Sequence, residues 1–166
     1  MIDSPPLPLA GKTVTLRSLA ETEALAAKLA RLARPGDVIA LRGGLGAGKT
    51  ALARGFIRSR HALSTGGGED VAEVPSPTFT LVQVYELADA AVWHFDLYRL
   101  AKPEDAWELG IEDAFDEAIS LIEWPERLGS LLPADRLDLE LTITGGDARQ
   151  AKLTGHGGWA ARLAHV

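Results

Sequence analysis

Apolar and polar positions recur along this chain with two periods, and the changes of period mark its elements. Leu25, Leu29 and Leu32 repeat at helical spacing behind Ser18, and Ser18 and Glu21 have the spacing of a capping box, so a helix is predicted from Ser18. Pro35-Gly36-Asp37 stops it. The unbroken run Val38-Ile39-Ala40-Leu41 reads as a buried strand, and Thr50 to about Arg60 as a helix. The prolines of Val74-Pro75-Ser76-Pro77-Thr78 fix an extended backbone. Phe79, Leu81 and Val84-Tyr85 belong to a strand, Leu87 to Ala90 to a turn, and Ala91 to Phe95 to the hairpin partner that ends at Asp96.

Further on, Pro103 to Leu109 reads as a short helix stopped by Gly110, and Ile111 to Ala118 as another. Ile119 to Ile122 is a buried strand ending at Glu123. Leu137, Leu139, Leu141 and Ile143 alternate with polar residues, which predicts a strand exposed on one face. Gly145-Gly146-Asp147 turns the chain so that Arg149 to Leu153 pairs back, and Trp159 to Ala164 closes it as a helix. Residues 1–13 read as a loose, proline-rich lead-in to a short strand Val14-Thr15-Leu16, and residues 64–73 as a flexible surface insertion.

Between the first buried strand and the helix that follows it stands Gly43-Gly44-Leu45-Gly46-Ala47-Gly48-Lys49-Thr50, which fits the phosphate-binding pattern G-x-x-x-x-G-K-[ST]. Strand, glycine-rich loop and helix are the context that gives this pattern meaning. Backbone N–H groups can cradle a triphosphate only where no side chain blocks the approach, hence the four glycines. Lys49 would reach the β- and γ-phosphates, and the Thr50 hydroxyl would be a ligand of Mg²⁺.

Composition narrows the chemistry. With 166 residues, a single domain with a full core is expected. There is no cysteine, which excludes disulfides, thiolate metal sites and a cysteine nucleophile, and the four histidines show no metal-ligand spacing. A formal net charge of −6 argues against strong autonomous binding to nucleic acid. No apolar run has the length of a membrane span and no secretory signal is evident, so a cytoplasmic location and no membrane partner are expected.

A phosphate loop needs a second acid. Asp96 and Glu123 both follow apolar strands, and either suits Mg²⁺ or the attacking water; as an alternative, each caps a helix or pairs with Arg99 or Arg127. Ser76-Pro77-Thr78 fits a γ-phosphate-sensing switch or a plain start of a strand. His94, Trp93 and Trp107 read as packing residues.

The phosphate loop is followed in order by Ser76-Pro77-Thr78-Phe79-Thr80-Leu81-Val82, His94-Phe95-Asp96-Leu97-Tyr98-Arg99-Leu100, Glu108-Leu109-Gly110-Ile111 and Glu123-Trp124-Pro125-Glu126-Arg127-Leu128. Together these segments resemble the bacterial TsaE (YjeE) family of P-loop ATPases over roughly residues 38 to 128. The resemblance implies an α/β fold: a single P-loop NTPase domain with a mixed parallel and antiparallel sheet flanked by helices. It implies an accessory ATPase for threonylcarbamoyladenosine in tRNAs that read codons starting with adenine. Such a protein binds and hydrolyses Mg-ATP and acts with the TsaD–TsaB heterodimer, meeting tRNA only through that complex.

Carried over by position, the resemblance puts Gly43, Gly44, Leu45, Gly46, Ala47, Gly48, Lys49 and Thr50 on phosphate. It puts Thr50 and Glu123 on Mg²⁺, makes Lys49, Asp96 and Glu123 the catalytic set with Asp96 a catalytic or structural acid, and places Thr78 in a switch-like segment. It sets Thr22 near the adenine and Arg149 near the nucleotide. Gly44 stands where the family usually has aspartate, and Ala51 where many members have a second hydroxyl residue. The chain shows no general base with a dedicated partner and no arginine at a finger position. Weak hydrolysis alone and stimulation by partners are therefore expected. A small-molecule kinase and a nucleotide switch without hydrolysis are the other readings of the same loop.

Overall fold

The computed structural model describes residues 5–66 and 74–166. Its central strand is β2 (Val38–Arg42), the apolar run before the phosphate loop. Val38 to Leu41 are all buried because both faces of this strand are covered, which is why the sequence shows no alternation there. Ile39 and Leu41 face one core and Val38 the other.

Around β2 the sheet has seven strands in the order β1-β7-β6-β2-β5-β4-β3. The remaining strands are β1 (Leu9–Leu16), β3 (Val82–Glu86), β4 (Ala91–Asp96), β5 (Ile119–Glu123), β6 (Arg136–Gly145) and β7 (Ala148–His156). β6, β2, β5 and β4 run parallel, while β7, β1 and β3 add antiparallel edges. The sheet is therefore mixed, as expected from the β3–β4 and β6–β7 hairpins.

One face is covered by α1 (Leu19–Leu32) and α2 (Lys49–Thr65). Ser18 caps α1 by accepting from the Glu21 N–H at 3.2 Å, and the Glu21 carboxylate accepts from the Arg17 N–H at 2.5 Å, one residue before the cap. Leu25 and Leu29 of α1 join Phe56 and Ile57 of α2 over the sheet. The helices approach closely at Gly55, where a Cβ would lie 3.1 Å from that of Ala26. The other face is covered by 3₁₀ segments Pro103–Leu109 and Pro125–Leu131 and by α3 (Ile111–Glu117), which bury Phe95, Ile122 and Leu128. The chain closes with α4 (Gly158–Arg162) and a 3₁₀ turn, Leu163–His165.

Three boundaries differ from the sequence reading. β1 begins at Leu9 rather than Val14, so much of the expected lead-in is strand. Its side chains are mostly exposed and carry no apolar period; pairing with β7 holds it. α2 runs through Ser64 and Thr65, whose hydroxyls bond back to the His61 carbonyl, and ends at Gly66 with φ 71°. Of the expected insertion, residues 67–73 lie outside the described residues. Phe79 and Leu81 precede β3 in a turn closed by the Leu81 N–H on the Pro77 carbonyl at 2.7 Å. There Leu81 takes φ 66°, a backbone that an apolar pattern does not announce.

Candidate functional site

The carboxyl ends of β2, β5 and β4 meet at one edge of the parallel strands, where open α/β sheets bind ligands. β2 delivers the glycine-rich loop, β5 delivers Glu123, and β4 delivers Asp96 as the register neighbour of Glu123. The cleft between them measures about 290 Å³ and is lined by Leu45 to Ala51, Thr78, Asp96, Tyr98, Glu123 and Trp124.

Loop geometry accounts for the glycines that matter most. Gly43 has φ 139°, and a Cβ there would lie 2.6 Å from the Leu141 carbonyl oxygen, so the β6 backbone leaves no room for a side chain. Gly48 has φ 108° and stands at the N-cap of α2 with no side chain on the first-turn amides. The 17-residue helix therefore opens toward the cleft with unblocked N–H groups, an arrangement that favours anions. A Cβ on Gly44 would meet nothing within 4 Å, and with Gly43 this residue lines a separate concavity against Glu140 to Ile143.

Lys49 is 5% exposed, and its ammonium donates to the carbonyls of Gly43 at 2.5 Å and Gly44 at 2.8 Å. The same ammonium lies 4.1 Å above the Trp124 ring. Burial lowers its pKa below the ordinary lysine value, and the carboxylates of Glu123, Glu126 and Asp96 oppose that shift. A triphosphate, with more negative charge, would act in the direction of those carboxylates and offer the ammonium better acceptors than two carbonyls.

The two acids take different partners. Glu123 is buried; its Oε1 accepts the Thr50 hydroxyl at 2.9 Å and its Oε2 lies 2.7 Å from His94 Nε2. Asp96 accepts the Thr78 hydroxyl at 3.1 Å and the Tyr98 N–H at 3.1 Å. Because the Thr78 proton points at Asp96, the Ser76 hydroxyl, 2.8 Å from Thr78, donates to it. Glu123 is thus wired to the loop and Asp96 to the Ser76–Thr78 segment. Arg99 and Arg127 lie over aromatic rings instead, Phe79 and Tyr98.

Most of the sequence-derived residues converge here; apart from Gly43 and Gly44, which line the neighbouring concavity, two stand apart. Arg149 on β7 donates through Nε to the Ala47 carbonyl at 3.0 Å and through a terminal nitrogen to Gly46 at 3.3 Å, so it grips the loop rather than lining the cleft. Thr22 is buried on α1, with its hydroxyl 3.5 Å from the Ser18 carbonyl, and does not line the cleft. Two contributors escaped sequence reasoning. His94 reads as core from its apolar strand. Trp124 takes φ 59° and ψ 51° before Pro125, which turns its ring under Lys49 and against Tyr98 at 4.9 Å. A following proline favours extended backbone at the residue before it, so nothing in the sequence signals this left-handed turn.

Among the described residues, no three histidine, aspartate or glutamate side chains gather around one point. Thr50 and Glu123 offer two oxygens side by side at the mouth of an anion cradle. That donor set fits Mg²⁺, which takes one or two protein oxygens and completes its shell with water and phosphate.

The family described as "Threonylcarbamoyl adenosine biosynthesis protein TsaE" matches residues 16–151. A tRNA threonylcarbamoyladenosine biosynthesis protein TsaE from Rickettsia conorii is 38% identical over 135 residues, 81% of this chain and 73% of that protein. Its counterpart in Bacillus subtilis is 34% identical over 138 residues, 82% of this chain and 81% of the relative. The crystal structure of Bacillus subtilis YdiB superposes with a TM-score of 0.72 at 29% identity, covering 94% of this chain and 93% of that one.

Proposed function

The chain belongs to the TsaE family of tRNA threonylcarbamoyladenosine biosynthesis proteins, and from that premise we propose that it is the pathway's accessory ATPase, binding and hydrolysing Mg-ATP at the loop of Gly43 to Thr50. The observation that carries this reading is the Thr50–Glu123 hydrogen bond at the open N-terminus of α2. A hydroxyl and a carboxylate side by side at that terminus suit a phosphate-bound cation.

Each group then has a task. The loop amides and the α2 terminus hold the phosphates. Lys49 leaves the carbonyls of Gly43 and Gly44 and follows the charge that develops on the transferred phosphoryl group. Thr50 and Glu123 would hold Mg²⁺, which when bound would neutralise phosphate charge. Asp96 orients the attacking water, and its bond to Thr78 lets the Ser76–Thr78 segment report whether the γ-phosphate is present. Arg149 acts on the nucleotide through the loop carbonyls it grips. Thr22 serves the adenine end, where its long bond to Ser18 is easily exchanged.

The hydrolysis serves the TsaD–TsaB heterodimer during modification of tRNAs that read codons starting with adenine, with tRNA met through that complex and not by this chain alone. Magnesium titration of ATP binding tests the assignment of the acids. Glu123→Ala is expected to bind ATP with no response to Mg²⁺, whereas Asp96→Ala keeps the response and loses phosphate release. The reverse pattern would give the metal to Asp96.

A further inference from the structure

His94 has no role in the scheme above, yet it is fully buried and touches the centre of the site. Its Nε2 lies 2.7 Å from Glu123 Oε2, while Glu123 Oε1 holds the Thr50 hydroxyl at 2.9 Å. Its Nδ1 is buried with no hydrogen-bond partner among the described residues. A neutral imidazole carries one N–H. A proton on Nδ1 would be an orphaned donor and would leave two lone pairs facing each other at Nε2 and Oε2. The geometry therefore puts the proton on Nε2, where it donates to the carboxylate.

We infer that His94 is a positioning residue for Glu123, a brace that holds the carboxylate toward Thr50 and away from Lys49. Lys49 and Glu123 line the same cleft. Of the carboxylates that act on the Lys49 ammonium, Glu123 acts most strongly. Lys49 is nonetheless bonded to the carbonyls of Gly43 and Gly44, not to Glu123. A direct Lys49–Glu123 pair would occupy both groups at once, the cation meant for phosphate and the acid meant for Mg²⁺. The Nε2–H bond ties up one carboxylate oxygen and fixes the plane of the other. An apolar residue of similar size would fill the space beside β5 but leave Oε2 buried without a donor. This inference rests on the proposed metal role of Glu123.

Two measurements on the full chain test it. In metal-free, nucleotide-free protein, the nitrogen-15 spectrum of the imidazoles is expected to show His94 as the Nε2–H tautomer; an Nδ1–H tautomer overturns the inference. The second measurement is Mg²⁺ titration of ATP binding for the wild type, His94→Gln, His94→Leu and Glu123→Ala. The glutamine amide replaces the Nε2–H donor, and leucine replaces only the volume. His94→Leu is expected to need about tenfold more Mg²⁺, the usual scale for loss of an outer-shell partner, and to bind ATP more weakly without metal as Glu123 engages Lys49, with His94→Gln within about threefold of the wild type in both. A wild-type response in His94→Leu, or equal losses in both variants, overturns the brace even when Glu123→Ala has lost its Mg²⁺ response. A retained response in Glu123→Ala removes instead the metal role on which the brace depends, and the inference with it. Should His94→Leu fail to fold, the tautomer and the glutamine variant decide: Nε2–H with a near-wild-type glutamine titration upholds the brace, and a tenfold loss in His94→Gln overturns it.

Discussion

Lys49 is where binding and stability pull in opposite directions. Its folded-state pKa is lowered by burial, so the unfolded chain binds its proton more tightly. Below the folded value both states are charged, and the buried charge is a standing penalty on the fold. Between that lowered value and the ordinary lysine value of 10.5, stability rises with pH as the folded state sheds the proton first. Tyr85 works against this near the top of the range, since burial raises its pKa above 10.0 and its contribution falls as pH rises through that region. The difference between wild type and Lys49→Met isolates the lysine. Lys49→Met is expected to abolish ATP binding while melting no lower than the wild type at pH 7 without nucleotide. Its advantage should shrink as pH approaches 10.5. Denaturant titrations across that range check both statements, and a variant markedly less stable at pH 7 would show that the two carbonyl bonds outweigh the desolvation.

At the scale of elements, the phosphate loop is clamped by a hairpin from the far end of the chain. β6 closes off Gly43 with the Leu141 carbonyl, and β7 reaches the loop with Arg149. Gly43→Ala therefore meets backbone and is expected to lose about 2 kcal/mol or more through overpacking and strain. Gly44→Asp faces open space and should stay within about 0.5 kcal/mol of the wild type. Thermal melts of the two single variants give the comparison; a large loss in Gly44→Asp would mean that the loop closes on that position. These elements also show what a sequence reveals. β2, α2, β5 and the β6–β7 hairpin were legible because burial on one or two faces imposes an apolar period. β1 was misjudged because an edge strand held by backbone pairing imposes none. The same limit applied inside the site. Loop chemistry exposed Lys49 and Thr50, and strand ends marked Asp96 and Glu123. The separation of the two acids needed the bonds to Thr50 and Thr78, which no spacing encodes. His94 stayed hidden because a buried histidine in an apolar strand looks like packing.

The whole molecule supplies its own cradle and two acids, yet among the described residues no arginine lines the cleft. Arg99 and Arg127, the nearest in sequence to the acids, lie over Phe79 and Tyr98. A phosphoryl-transfer site without such a cation is slow, and one supplied in trans raises turnover by orders of magnitude. Phosphate release from Mg-ATP is accordingly expected to be weak with the purified chain and at least about tenfold faster with TsaD–TsaB, with none from Lys49→Ala under either condition. Brisk turnover that the partners leave unchanged would count against the accessory role. The sheet order carries a different consequence, one for biosynthesis. Among the described residues β1, early in the chain, pairs in the sheet with β7 alone, and β2 takes β6 as one neighbour. β1 and one edge of β2 therefore wait for residues near the end of the described chain, and long-range pairing of this kind is slow to form. During translation the nascent polypeptide carries an unpaired β1 and a phosphate loop without its clamp. A message cut short before β7 would yield a product with the whole nucleotide motif but without the Arg149 grip on its loop or the partner of β1.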